Sequence, residues 1–289
     1  MLFRKKDKYS KYSSYIVDDL CNITLEAEDV PQGVCQVSGN VLISCYTTNK
    51  TNSKVLIIDS NSKLKKVINL DNNAHVGGIS YDNYHNLIWI CDKNGSVSCY
   101  PYNEFIRDNF SHRVNFKVSS SELGGGVLME NNQYICSYLT YFENKLYVGS
   151  FNKYVNGLVK VFSIDRGIDG ICLNYESEFV VPNIVQGLEF YRDNEDVYLI
   201  CSRSYTRKSD SQIVVYLYDK NQRDYSKEQY SFILPPMLEQ ISIDSKKNTM
   251  LLFESCANKY KADVKVVIDK ISTLNTAVLI DDYKNIYKK

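Results

Sequence analysis

Two carboxylates, Glu239 and Glu254, are the residues of this chain whose type and setting offer acid–base chemistry. Paired carboxyl groups can cleave a glycosidic bond, one as acid and the other as base or nucleophile. That requires a separation of about 5 to 5.5 Å for retention or about 6.5 to 9.5 Å for inversion. The same pair can instead satisfy backbone N–H groups, or form ion pairs with Lys259 and Arg203. His75 is either a general base or metal ligand, or an imidazole hydrogen-bonded in place. Gln32 and Gln186 transfer no protons, so they act as ligand donors or as plugs. Tyr138, Tyr205 and Tyr260 add phenol groups to the set. Calcium takes several oxygen ligands, and Glu239, Glu254, Asp92 and backbone carbonyls can supply them; no other cofactor is implied.

These residues are positioned by a repeat. Short runs rich in Val, Ile, Tyr and Phe alternate with Asn, Asp, Gly, Ser and Lys clusters, the signature of strands and turns. The runs fall into five groups. The first holds Pro31-Gln-Gly-Val-Cys-Gln-Val, Val41-Leu-Ile-Ser-Cys-Tyr, Lys54-Val-Leu-Ile-Ile-Asp and Leu64-Lys-Lys-Val-Ile-Asn-Leu; the others begin near His75, Ile135, Val185 and Leu238. Equivalent points recur roughly every 40 to 60 residues, near the period of a β-propeller blade. The expected fold is all-β: a five-bladed β-propeller forming a single domain over residues 1–289. The fifth group, which ends on Val264-Lys-Val-Val-Ile-Asp, lacks an outer strand. The segment from Tyr12 to Leu20 is expected to supply it and so close the ring, since an open ring leaves a sheet edge unpaired. Residues 1–11 read as a flexible tail, 276–289 as a C-terminal helix or tail, and the stretch from Phe105 to Asn132, with Gly124-Gly-Gly inside it, as an insertion. A pair of β-sandwiches is the alternative arrangement of the same strands.

In a propeller, the start of the first strand and the end of the second crowd one mouth of the central channel. The uncommon polar residues sit at those places. Strand-one starts supply Gln32, His75, Ser137 with Tyr138, Gln186 and Glu239; strand-two ends supply Tyr46, Asp92, Phe151 with Asn152, Arg203 with Tyr205, and Glu254 with Asn258, Lys259 and Tyr260. Such a funnel suits a small polar ligand. Gly33, Gly77, Gly78 and Gly187 follow several of these positions, as crowded inner strands require.

Composition bounds the partners. The 289 residues carry 34 basic and 34 acidic side chains, so no net charge favours nucleic acid or an anionic membrane. The longest apolar run, Ile213 to Tyr218, cannot span a bilayer. Nine cysteines without a C-x-x-C pair, and a start without an apolar leader, point to a cytoplasmic protein with reduced thiols. A mature form with its leader removed would look the same and would be extracellular. The runs Arg203 to Lys208 and Arg4 to Lys8 read as solvated charge. No G-x-S-x-G, H-E-x-x-H, P-loop or EF-hand pattern is present.

Pro31-Gln-Gly, His75-Val-Gly-Gly, Ser137-Tyr-Leu-Thr-Tyr, Gln186-Gly, Pro235-Pro-Met-Leu-Glu-Gln and Phe253-Glu-Ser-Cys-Ala-Asn-Lys-Tyr together resemble an uncharacterised family of bacterial propeller-like proteins, described only as hypothetical or secreted. The resemblance spans roughly residues 30 to 262. It implies a propeller with a shared site made of His75, Glu239, Glu254, Lys259 and Tyr260, and it implies no reaction. The Gln-Gly strand starts are also similar to those of propeller-type glutaminyl cyclases, a dipeptide too short to carry that activity over.

The sequence therefore leads to two expectations. One is a propeller that binds a small polar molecule, such as a sugar or peptide, or a protein partner, through Gln32, His75, Tyr138, Gln186, Arg203, Tyr205, Glu239, Glu254, Lys259 and Tyr260. The other is a hydrolase, lyase or cyclase that uses His75, Glu239 and Glu254.

Overall fold

The computed structural model describes residues 8–118, 135–167 and 170–287. A short helix, α1 (Ser10–Tyr15), leads directly into strand β1 (Ile16–Asn22). Antiparallel strands then repeat in fours. The first group is β2 (Asp29–Val37), β3 (Asn40–Thr47), β4 (Lys54–Ile58) and β5 (Leu64–Asn69). The second is β6 (Ile79–Asp82), β7 (Leu87–Cys91), β8 (Ser96–Pro101) and β9 (Val114–Lys117), with the one-turn helix α2 (Tyr102–Phe105) before its last strand. The third is β10 (Tyr138–Phe142), β11 (Lys145–Ser150), β12 (Gly157–Gly167) and β13 (Gly170–Val181). The fourth is β14 (Val185–Asp193), β15 (Asp196–Arg203), β16 (Ser211–Leu217) and β17 (Tyr230–Leu234). The last holds β18 (Leu238–Ile243), β19 (Thr249–Phe253), the one-turn helix α3 (Asn258–Lys261) and β20 (Lys270–Leu274), and helix α4 (Thr276–Tyr287) follows.

Each group forms its own four-stranded sheet, and in the last the order is β18-β19-β20-β1. The first strands of the five sheets neighbour one another in a ring, β2 to β6 to β10 to β14 to β18 and back to β2. This is a five-bladed β-propeller closed by its N-terminal strand. Closure runs through β1 and β20, antiparallel from Ile16 opposite Leu274 to Asn22 opposite Lys270.

The packing explains why these runs become strands. Middle strands such as β4 and β7 are buried along their whole length, because neighbouring blades cover both faces, whereas the outer strand β5 is half exposed. Trp89 of the second blade packs with Leu139 and Val148 of the third. Ile200 and Ile213 of the fourth pack with Leu238 and Ile241 of the fifth, and Tyr15, Leu279, Ile280 and Tyr283 seal the outside of that seam. The Tyr15 hydroxyl donates to Asp282 Oδ2 at 2.6 Å, tying α1 to α4.

Three boundaries differ from the sequence reading. The closing strand is Ile16–Asn22, and Tyr12 to Tyr15, expected at its start, belong to α1. The stretch Val264 to Asp269 is not a strand; the third strand of the last blade is β20. A middle strand needs cover on both faces. Val266 and Val267 are adjacent and both exposed, whereas Ile271 to Leu274 are buried throughout. The second blade draws its outer strand, β9, from within the stretch read as an insertion. Gly124 to Gly126 lie outside the described residues. All nine cysteines are unpaired thiols, eight of them buried.

Candidate functional site

Three of the five inner strands begin with a break in register. The pairing slips between Pro31 and Gly33 in β2, between Val185 and Gly187 in β14, and between Leu238 and Ile241 in β18. A bulge inserts a residue and re-aims its side chain. The inserted residues are Gln32, Gln186, and Glu239 with Gln240, three of which the sequence placed at the mouth. Val76, Ile184 and Met237, on the entries to β6, β14 and β18, have positive φ angles of 49°, 55° and 71°. A β-branched residue there is an outlier whose cost the surrounding ring must hold.

Below these residues the channel is filled by Gln240, which is 1% exposed. Its Oε1 accepts from Val34 N and Ile79 N, both at 3.0 Å, and its Nε2 donates to Ile79 O and Leu139 O, both at 3.0 Å. One amide thus joins the fifth blade to the first, second and third. Glycine makes the room: a Cβ on Gly33 would lie 2.8 Å from Gln240 Oε1, and one on Gly187 would lie 2.8 Å from Gln240 Cα.

Above the plug, the structure brings Glu239 and Glu254 together. Glu239 comes from the bulge of β18, and Glu254 opens the 3-10 turn Glu254–Cys256 that follows β19. Their carboxyl groups hydrogen-bond to each other. Gln32 Nε2 donates to Glu254 Oε2 at 3.2 Å and Gln186 Nε2 to Glu239 Oε1 at 3.5 Å, so each carboxyl is held by an amide from another blade. Glu239 is 4% exposed, and Glu254 lies nearer solvent. Burial raises both carboxyl pKa values. The Glu254 charge raises that of Glu239 further, while Gln32, then Glu239, Lys259 and Arg207 partly relieve Glu254. Two carboxyls in contact cannot both ionise readily, so the pair keeps a proton above the usual carboxylate range.

The rim is aromatic and basic. Helix α3 presents Lys259 and Tyr260. The Tyr260 hydroxyl lies 3.2 Å from that of Tyr46, and Lys259 Nζ donates to the Tyr46 hydroxyl at 3.0 Å. Arg207 lies over the Tyr260 ring at 4.8 Å. His75 sits on the entry to β6 with its ring 4.6 Å from that of Tyr46. His75 is exposed as a residue. Desolvation by the surrounding atoms, then the Lys259 charge, lowers its pKa to about 4.

Other expected residues lie elsewhere. Tyr138 is fully buried in the core between the third and fourth blades. The Arg203 guanidinium is committed to the carbonyl and Oδ1 of Asn183, Gln212 Oε1 and Glu228. Tyr205 stands by Phe151, ring centroids 6.4 Å apart, with Lys153 over it at 4.7 Å. Asp92 pairs with Arg113 at 2.6 Å rather than with the glutamates. Among the described residues no group of three or more His, Cys, Asp or Glu side chains is placed to hold a metal ion. The sequence reading missed Gln240, which a third glutamine beside a strand start could have signalled, and Arg207, which sits in a loop run read as solvated charge.

No family model matches the sequence, and no curated protein matches it. The fold is similar to solved propellers. The RRP9 WD40 repeats share 6% identity with it at a TM-score of 0.51, over 90% of this chain and 98% of that one. A nidogen/laminin complex gives 12% identity and a TM-score of 0.46, over 78% of this chain and 73% of that one. An auxiliary nutrient binding protein from Bacteroides thetaiotaomicron gives 10% and 0.48, over 85% of this chain and 58% of that one. The likeness to the WD40 repeats is one of fold alone. No helix among the described residues is long and apolar enough to cross a membrane.

Proposed function

We propose that this is a binding propeller that takes a small polar ligand, such as a sugar or the end of a peptide, at the mouth above Gln240. The observation that carries the reading is the Glu239–Glu254 pair, buried, sharing a hydrogen bond and held by Gln32 and Gln186. A carboxyl pair in low-dielectric surroundings costs stability unless a partner uses it. Its donors and acceptors suit hydroxyl or amide groups, and Lys259, Arg207, Tyr46 and Tyr260 offer a charged and aromatic rim to the rest of the ligand. The shared proton also favours a second reading, acid–base chemistry of a lyase or cyclase kind, since a protonated carboxyl beside an ionised one can give and take a proton.

The test is a thermal-shift screen of wild type and Glu254→Gln against sugars, short peptides and nucleotides. A ligand specific to the folded state raises the melting temperature by mass action. One class is expected to stabilise wild type and to lose most of that effect in Glu254→Gln. Turnover of that class would select the acid–base reading. A wild type that no class stabilises, with a folded Glu254→Gln, would overturn the proposal.

A further inference from the structure

The opposite mouth of the channel holds a cavity of about 820 Å³, within the size range of small-molecule sites. Its walls are the far ends of the inner strands and the turns that follow them. Two positions beyond the plug level, four inner strands line it with Cys35, Ser80, Glu189 and Ser242, and the fifth places Thr140 against Glu189. Glu189 is 7% exposed. Its Oε1 accepts from Thr140 Oγ1 and from Phe190 N, both at 2.9 Å, and Ser242 and the Ile243 backbone also hydrogen-bond to it.

The donors satisfy its oxygens, yet no basic side chain of the cavity lining pairs with it. No lysine, arginine or histidine is found among the described residues that line the cavity. The other two lining carboxylates are spoken for. Glu143 binds Arg192, whose Nε donates at 2.8 Å, and Asp244 Oδ1 accepts from Lys246 N and Asn248 N, both at 2.8 Å, within its turn. Four tyrosine and phenylalanine residues with part or all of their surface free also line the cavity: Tyr81, Tyr84, Tyr141 and Phe142.

We propose that this second mouth is a binding site for a small organic cation, an alkylammonium whose charge meets Glu189 and whose carbon substituents lie against the tyrosines that line the cavity. A carboxylate sunk in a cavity walled with aromatic rings and lacking its own cation is the chemistry that recognises such ions. A bare divalent metal would need several more oxygen ligands than Glu189 brings. Burial pushes the Glu189 pKa up to about 7 despite its hydrogen bonds, the state of a carboxylate waiting for a counter-ion. The groups facing it from the other inner strands are the Cys35 thiol, which burial keeps protonated, and the non-titrating Ser80, Thr140 and Ser242; Tyr81, Tyr141 and Asp244 also line the space. A bound cation draws off the Glu189 proton, so affinity rises with pH.

The experiment is calorimetric titration of the full chain with choline, with the neutral carbon isostere of choline, and at two pH values. Choline is expected to bind about tenfold more tightly at about pH 8 than at about pH 6, following the ionised fraction of Glu189. The neutral isostere and the Glu189→Gln variant should each bind at least about tenfold more weakly. Tyr84 is 76% exposed, so Tyr84→Ala keeps the fold and should weaken choline several-fold even where Glu189→Gln does not fold. Absence of choline binding to folded wild type at the higher pH would overturn the proposal. So would equal binding of the neutral isostere, or wild-type affinity in Tyr84→Ala with no dependence on pH.

Discussion

The side-chain amide of Gln240 pairs with the backbone of Ile79 as a neighbouring strand would, accepting from its N–H and donating to its carbonyl, each at 3.0 Å. It spends its remaining acceptor and donor capacity on Val34 N and Leu139 O. A single residue of the fifth blade thereby substitutes for strand pairing at the point where the inner strands cannot pair with one another.

Replacing that amide should be costly. Gln240→Leu leaves Val34 N, Ile79 N, Ile79 O and Leu139 O buried without partners. Each orphaned group costs about 1 to 3 kcal/mol before relaxation, so the loss should be roughly 3 kcal/mol or more. Urea denaturation of wild type and variant measures it. A loss below about 1 kcal/mol would mean that the amide does not bridge the blades.

Gly33 is predicted to tolerate no side chain. A Cβ there would lie 2.5 Å from Ser44 Oγ and 2.8 Å from Gln240 Oε1. Gly33→Ala must push aside either the plug or the serine that holds Val76 O at 2.8 Å. A destabilisation of about 1 to 3 kcal/mol is expected in the same denaturation assay.

The stability–pH profile should carry the mark of the carboxyl pair. Folding raises both pKa values from the ordinary 4.5, so the folded chain keeps a proton that the unfolded chain has already released. The folded state then binds more protons, and this contribution to stability falls as pH rises from about 4.5 upward through the folded values. Glu239→Gln removes one member of the coupled pair. Its melting temperature relative to wild type should therefore improve as pH is raised from about 5 to about 8. A constant difference across that range would show that the pair does not titrate in it.

Much of this architecture was legible in the sequence, because blade strands carry apolar runs at a steady period and the orphan N-terminal segment matched the missing edge. The site was legible only in part. Gln32, Gln186, Glu239 and Glu254 were found because polar residues at strand starts stand out against apolar neighbours. Whether a side chain at a strand end faces the axis depends on bulges, and a bulge leaves no mark in composition. Tyr138 sits level with Gly33 and Gly187 but fills the space opposite Gly149, so it turns into the core, while Arg203 is drawn sideways by Asn183 and Glu228. The second cavity went unread because its carboxylate, Glu189, lies mid-strand where an apolar residue would be expected.

Arg203 also yields a prediction that separates it from the mouth. Its contacts with Asn183, Gln212 and Glu228 are structural, so Arg203→Ala should cost roughly 1 to 2 kcal/mol in denaturation. The ligand-induced thermal shift should be unchanged in size. Loss of that shift in a folded Arg203→Ala would return the residue to the site.

The account rests on two glutamates that share a proton at one mouth of the channel. Titration of the side-chain carboxyl carbons by NMR, with Glu239→Gln and Glu254→Gln to assign them, tests this most directly. The prediction is that one of the two stays protonated well above 4.5, and that replacing Glu254 shifts the titration of Glu239 downward. Two independent titrations near 4.5, each indifferent to loss of the other glutamate, would mean the carboxyls stand apart and ionised, and the reading of the mouth would fail.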